Sequence, residues 1–167
     1  MKRALFLVLG LLILVAAAAS AENSLEAKTK ALVVTPNGST ALSGKYMLSS
    51  DMGVNVSFGF MSAGVSGSTS STFSVGGGIQ KYLKTGDVAP YVGAGVGFGT
   101  YSPPVGDSQT TISLAGMFGV EAFILKNLSL SGQIQLGYSS TSNFVLDKSY
   151  SVIQTATPAV MITFYLP

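Results

Sequence analysis

The side chains that could carry out acid–base or metal chemistry are few in this sequence and widely spread. The chain contains no histidine and no cysteine, so it lacks the usual general base for a serine nucleophile and the commonest metal ligand. Asp51, Asp87, Asp107 and Asp147 fall in predicted turns or loops, and Glu121 is isolated on a predicted strand. No two carboxylates are spaced for acid–base work, so we predict a non-enzymatic protein without a metal or cofactor.

One glycine-rich run invites comparison with a dinucleotide-binding loop. The segment Gly93-Ala-Gly-Val-Gly-Phe-Gly99 has Phe98 where the third glycine of G-x-G-x-x-G should stand, and no helix is predicted after it. Glycine at every second position is better explained by a narrow barrel, in which it leaves room for the side chains that face it. We therefore predict no nucleotide site.

Lys45 and Glu121 are the two charged residues that we place well inside a barrel. Each lies a few residues from a predicted tight turn, on the second and sixth of eight predicted strands. Those strands stand opposite each other in an eight-stranded ring, so an ion pair across the lumen is geometrically possible. Separate solvation of the two charges by interior water is the alternative, and the sequence does not decide between them.

The segments that would position these residues alternate between apolar and polar side chains. In the clearest case, 128–138, Ser and Gln occupy odd-numbered positions, and Leu, Ile and Tyr occupy even-numbered positions. Such alternation indicates β-strands with one apolar face. Turn residues divide the chain into eight predicted strands: 27–35, 40–48, 52–62, 71–83, 90–100, 110–124, 128–139 and 149–165.

The composition indicates which way the apolar face points. Charged residues make up 10% of the chain, whereas soluble domains contain about 25%. A lipocalin-type soluble barrel would turn the uncharged Gly, Ser, Thr, Gln and Asn face to water, where it would make a poor surface. Longer connections also alternate with tighter ones, as in bacterial outer-membrane barrels. We predict an all-β fold, an eight-stranded antiparallel up-and-down transmembrane β-barrel.

Residues 1–21 have the features of a cleaved signal peptide. Lys2 and Arg3 precede the apolar stretch 4–15, and Ala19-Ser20-Ala21 provides a small-residue cleavage site. We therefore expect export and a barrel domain over 22–167. Without Lys2 and Arg3, seven lysines balance seven acidic residues, and no basic cluster remains to attract nucleic acid.

Aromatic residues on the apolar face cluster near the predicted strand ends. Two aromatic girdles are typical of a barrel at its two membrane interfaces, although aromatics also favour strands in general. The predicted girdle residues are Tyr46, Phe60, Phe73, Phe98, Tyr138, Tyr150 and Phe164.

Three segments resemble the outer membrane protein β-barrel domain superfamily, which includes the OmpA transmembrane domain and OmpX-like small barrels. They are 44–54, 89–99 and 119–130, and the resemblance extends over most of 27–165. It implies a bacterial outer-membrane location and insertion by the barrel-assembly machinery. We further expect contact with outer-membrane lipid and lipopolysaccharide, and a monomer.

The resemblance implies location and fold more than a task. Eight strands enclose an interior that side chains just fill, so we favour a structural or surface role with a side-chain-filled lumen. A narrow channel for small or hydrophobic solutes is one alternative, and adhesion or partner binding through the outer loops is another. The sequence does not identify a ligand.

Overall fold

The computed structural model describes residues 25–35, 41–65, 68–143 and 148–166. The predicted signal peptide lies outside the described residues. Eight antiparallel strands form one sheet, in which each strand pairs with its neighbour in the chain and the first pairs with the last. The strands are β1 (Lys30–Val34), β2 (Ala41–Ser49), β3 (Met52–Val65), β4 (Ser68–Tyr82), β5 (Val88–Ser102), β6 (Gln109–Leu125), β7 (Leu128–Asn143) and β8 (Lys148–Leu166).

The pairing of β1 with β8 closes the sheet into a barrel. Leu32 stands opposite Gly44 on one side and opposite Phe164 on the other. Where β1 and β8 pair, from Ile162 to Leu166 of β8, closure satisfies the backbone hydrogen bonds within the sheet and leaves no free edge. The predicted all-β, eight-stranded antiparallel barrel is confirmed. No helix long and apolar enough to cross a membrane occurs in the described part of the chain.

The barrel has two distinct ends. The connections 50–51, 83–87 and 126–127 lie at one end, which we call the turn end, together with residues 25–29 before β1. Strands β1, β3, β5 and β7 end at the other, which we call the loop end.

Several strands run further toward the loop end than predicted. The predicted loop 63–70 is wrong: β3 and β4 remain paired to Val65 opposite Ser68, which leaves only 66–67 between them. Likewise β5 continues to Ser102 and β7 to Asn143. Gly and Ser suggested a turn in these segments, but the ladder hydrogen bonds of the adjacent strand outweigh such weak local preferences. The connection 66–67 is therefore shorter than 83–87, contrary to the predicted difference in length.

The first strand is shorter than predicted. Residues 27–28 form a turn, with Lys28 in the left-handed region at a φ of 72°, so the strand begins at Lys30. The segment still bonds to β2, because Lys28 N donates to Met47 O at 2.7 Å and Met47 N donates to Thr29 O at 2.8 Å. Leu25 is buried in the core.

Apolar side chains cover the outside of the barrel, as the alternation predicted. The exposed fraction is 65% for Val56, 63% for Val96 and 60% for Leu136. Buried apolar side chains are concentrated inside the barrel at the turn end, where Met47, Tyr91 and Phe123 are fully enclosed. The buried core therefore fills one end of the lumen, and the apolar surface faces outward.

Candidate functional site

A layer of four side chains crosses the lumen at the turn end. Lys45, Tyr82, Glu121 and Tyr165 come from the alternate strands β2, β4, β6 and β8, and each is buried. Inward-facing residues from alternate strands of a tilted barrel can lie at one height and fill its cross-section.

The structure brings Lys45 and Glu121 together across the lumen. Lys45 Nζ lies 3.0 Å from Glu121 Oε2, and the two side chains are 5% and 0% exposed. A buried charge pair must recover the lost hydration of both groups, which requires good geometry and further hydrogen bonds.

Glu121 receives those further hydrogen bonds from three hydroxyl groups. Its Oε2 accepts a bond from Tyr82 Oη at 2.5 Å, and its Oε1 accepts one from Tyr165 Oη at 2.7 Å and one from Ser129 Oγ. With the ammonium group of Lys45, the carboxylate therefore has four donors. A carboxylate has about four acceptor positions, so all of its hydrogen-bonding capacity is used.

Lys45 is equally well satisfied. Besides Glu121, its ammonium donates to Tyr82 Oη at 2.9 Å and to Tyr165 Oη at 3.4 Å. The nitrogen also lies 5.6 Å and 5.7 Å from the centroids of the same two rings, within the range of cation–π attraction. The two tyrosines thus bridge the cation and the anion.

Sequence reasoning missed both tyrosines. The signal was present, because Tyr82 is two residues from Gln80 on the inward side of β4 and Tyr165 alternates with the outward Phe164. Extending the alternation to the strand ends would have placed both rings in the lumen.

Apolar side chains close the barrel next to this layer. Tyr91 packs edge-on against Tyr82 with ring centroids 5.6 Å apart, and Phe123 lies 5.5 Å from Tyr165. Met47 and Leu25 belong to the same buried cluster. We call this cluster, with the four-residue layer, the floor.

On the loop side of the floor, the lumen contains a cavity of about 430 Å³. We call it the cup. Many of its inward-facing side chains are half-buried, including Ser57, Ser74, Thr111 and Ser113, whereas those of the floor are buried. The prediction of a side-chain-filled lumen is therefore correct for the turn end and wrong for the cup.

Glycine leaves one wall of the cup without side chains. The inward positions of β5 from Gly93 to Gly99 are all glycine, and β4 adds Gly76 and Gly78. A Cβ atom at Gly93 would lie 2.5 Å from Ile79 O, and one at Gly97 would lie 2.6 Å from Ser113 Oγ. The close approach of the β4 backbone thus requires glycine at Gly93, and a side chain at Gly97 would displace that of Ser113, which agrees with the barrel explanation of the run.

Gln80 lies at the boundary between floor and cup with half of its amide unpaired. Its Nε2 contacts Met117 Sδ at 3.9 Å, and its Oε1 has no hydrogen-bond partner although Gln80 is 3% exposed. Among the described residues this is the one buried side-chain polar atom without a partner. Such an atom is costly unless a water or a ligand meets it.

The predicted girdle residues lie on the outer face wherever their side chains are described. The exposed fraction is 60% for Phe60, 41% for Phe98 and 47% for Tyr138 near the loop end, and 38% for Tyr46 and 44% for Phe164 near the turn end. Phe73 is half-buried because it packs edge-on against Phe58, with ring centroids 5.4 Å apart. The side chain of Tyr150 lies outside the described residues.

Lys81 lies at the rim of the turn end, where its side chain is 48% exposed. Its ammonium pairs with Asp51 in the turn between β2 and β3, and Ser49 Oγ donates to the same carboxylate at 2.7 Å. The hydrogen bond from Lys81, followed by that from Ser49, lowers the pKa of Asp51 below its ordinary value.

The part of the chain that the structure describes contains no group of three or more acidic, His or Cys side chains that could hold a metal ion.

The chain matches no protein-family model and no curated protein by sequence. Among solved structures, it is similar to the crystal structure of Ail, the attachment invasion locus protein of Yersinia pestis. The match has 19% sequence identity and a TM-score of 0.36, and it covers 82% of this chain and 91% of that chain. This degree of similarity supports no inference about function.

Proposed function

We propose that the protein is a non-enzymatic integral protein of a bacterial outer membrane with a structural or surface role, and that its lumen does not conduct. The observation that carries this proposal is a closed barrel with an apolar outside and a lumen blocked at the turn end. A closed barrel satisfies its backbone internally, so its outer face is free to contact lipid.

The limits of the apolar surface support a membrane position. Near the loop end, Phe60 is paired with Phe73, and the next outward pair is Ser62 with Ser71. On β5, outward Phe98 is followed by outward Thr100. A change from aromatic to hydroxyl side chains at a common level is expected where a barrel leaves the hydrocarbon for the interface.

Strand length supports the same position. Strands β3 to β8 have between 14 and 19 residues, whereas a tilted strand crosses a bilayer in about 9–11. The hairpins therefore continue beyond the hydrocarbon at the loop end, and they provide the surface that the protein would present outside the cell.

The floor argues against the alternative of a narrow channel. A solute would have to pass the Lys45–Glu121 pair and then the ring of Tyr91, which is fully buried. Separating a buried ion pair leaves two charges unpaired in a narrow lumen, at a cost of several kcal/mol. The barrel is therefore closed to ions and small solutes as it stands.

Conductance in planar lipid bilayers tests this proposal. We expect refolded full-length protein to give no resolved current steps, and we expect Tyr91→Ala combined with Tyr165→Ala to give them, because these changes remove two aromatic rings from the floor. Tyr138→Ala, which removes a ring from the outer face, is the matched control and should remain silent. Regular current steps from the unmodified protein would show that the floor opens and would favour the channel.

A further inference from the structure

A depression at the turn end combines positive charge with access to the outer face of the barrel. It has a volume of about 660 Å³ and lies where β1 and the end of β8 meet the turn between β6 and β7. Its lining contains three lysines, Lys28, Lys30 and Lys126, and one acidic residue, Glu26. The described part of the lining therefore carries an excess of positive charge.

Two of these lysines are available to an external anion. Lys28 and Lys30 are exposed, and neither forms an ion pair with another described residue. Lys45 and Lys81, by contrast, are each paired with a carboxylate. Lysines at the level of a membrane surface attract anionic lipid headgroups.

The backbone holds Lys28 in a conformation that a lysine rarely adopts. Its φ of 72° lies in the left-handed region, and Lys28 is the one non-glycine residue with a positive φ among the described residues. The bond from Lys28 N to Met47 O fixes the turn, and glycine or asparagine would adopt it at lower cost. The turn geometry therefore does not explain a lysine at this position, whereas a charge that is needed in the depression does.

The depression reaches the apolar outside of the barrel. Lys30 is an outward residue of β1, and it lies between Tyr46 on β2 and Leu166 on β8. These two side chains are 38% and 53% exposed on the outer face, and the next outward pair is Leu32 with Phe164. An occupant can therefore place an anionic group against the lysines while a hydrocarbon chain lies along the adjoining apolar surface.

We propose that this depression binds the phosphate group of an anionic phospholipid of the periplasmic leaflet. The ammonium groups of Lys28 and Lys30 meet the phosphate, and an acyl chain packs against Leu32 and Phe164. A zwitterionic lipid is a poorer ligand because its own cation is repelled by the excess of lysines. A water-soluble anion is also poorer, because it leaves the apolar part of the surface uncovered. This inference rests on the membrane position proposed above, with the turn end in the periplasm.

Electron spin resonance of spin-labelled lipids tests the proposal. The refolded full chain is placed in phosphatidylcholine vesicles at about 0.15 M NaCl, where charges are screened beyond about 8 Å. We expect spin-labelled phosphatidylglycerol to associate with the protein at least about fivefold more strongly than spin-labelled phosphatidylcholine. Equal association of the two lipids would overturn the proposal.

Two double variants with the same loss of charge locate the binding. Lys28→Gln with Lys30→Gln should reduce the preference for phosphatidylglycerol to less than about twofold. Lys81→Gln with Lys84→Gln removes two exposed lysines from the same end of the barrel, away from the depression, and should leave the preference unchanged. An equal loss in both double variants would show a general effect of surface charge and would contradict the site. Displacement of the lipid by millimolar inorganic phosphate would show a site for the free ion and would also contradict the proposal.

Insertion into the same vesicles is measured separately, by the resistance of the barrel to added protease. A barrel that is inserted and protected but shows no preference for phosphatidylglycerol overturns this inference alone. A chain that remains outside the bilayer overturns the membrane position as well, so the two failures are distinguishable.

Discussion

At the residue scale, one carboxylate organises the turn end of the lumen. Glu121 on β6 accepts hydrogen bonds from side chains on β2, β4, β7 and β8. It is 0% exposed, so each bond replaces water that the ion would otherwise hold. Glu121 therefore links five strands, which makes it the residue on which closure of the lumen most depends.

Removing one member of the Lys45–Glu121 pair should destabilise the barrel more than removing both. Glu121→Gln leaves the buried ammonium without its anion and should cost about 3–5 kcal/mol. Glu121→Gln combined with Lys45→Met removes both charges and should cost less. Urea unfolding in lipid vesicles measures the free energy of unfolding of both variants and of Lys45→Met alone.

Lys81→Met is the control for that cycle, because it removes a lysine from an exposed ion pair and should change the unfolding free energy little. A coupling energy between Lys45 and Glu121 that does not differ from zero would mean that interior water solvates the two charges separately.

The turn residue Asp51 gives a pH-dependent prediction. Its lowered pKa results from hydrogen bonds from Lys81 and Ser49, so its contribution to stability is present above the ordinary carboxyl pKa and is lost as the pH falls through the lowered folded value. Both partners are nearly half exposed, and the contribution should therefore be small and weakened by salt. A ¹³C NMR titration should show the pKa of Asp51 rising toward its ordinary value in Lys81→Met. Equal values in the two proteins would contradict the pairing.

At the element scale, the alternation of side chains predicts most of the fold but not the strand ends. On β7, Ile134 and Leu136 face outward and Gln133 and Gln135 face inward, as the period of two requires. The positions of Lys45 on β2 and Glu121 on β6, two strands that stand opposite each other in the ring, were sufficient to place the two residues across the lumen. Polar hairpin ends such as 63–70 do not alternate between apolar and polar side chains. Strand pairing there depends on the neighbouring strand rather than on the residues of the segment itself. The partners of Glu121 escaped prediction because they are set by the relative height of non-adjacent strands, which follows from barrel shear.

Adjacent residues of β7 test the assignment of the two faces. Ile134→Arg places a charge on the outer face, where Ile134 is 53% exposed, and near the middle of a bilayer it should cost about 2–4 kcal/mol. Gln135→Arg places the same side chain in the cup and should cost less. Gln133 is a poorer control because its Oε1 accepts a bond from Tyr91 at 3.0 Å. Folding titrations in lipid vesicles measure the difference, and equal costs for the two variants would contradict the outward direction of the apolar face.

At the scale of the whole molecule, charge is distributed unevenly between the two ends. Lys28, Lys30, Lys81, Lys84 and Lys126 all lie at the turn end, as do Glu26, Asp51 and Asp87. In the described part of the loop end, the charged residues are Asp107 and Lys148, the first residue of β8. Contact with lipopolysaccharide, which we expected, would therefore depend mainly on the hydroxyl-rich hairpin ends, since the described part of the loop end has no cluster of lysines.

We propose that this barrel crosses an outer membrane with its loop end outside. Labelling of single cysteines in intact cells with a membrane-impermeant maleimide tests it most directly, since the chain has no native cysteine. Val105→Cys places the thiol in the connection between β5 and β6, where Val105 is 86% exposed, and Lys84→Cys places it at the exposed turn end. We expect residue 105 to react in intact cells and residue 84 to react only after lysis. Labelling of residue 84 but not of residue 105 in intact cells would reverse the orientation, and equal labelling of both before and after lysis would contradict a membrane-spanning barrel.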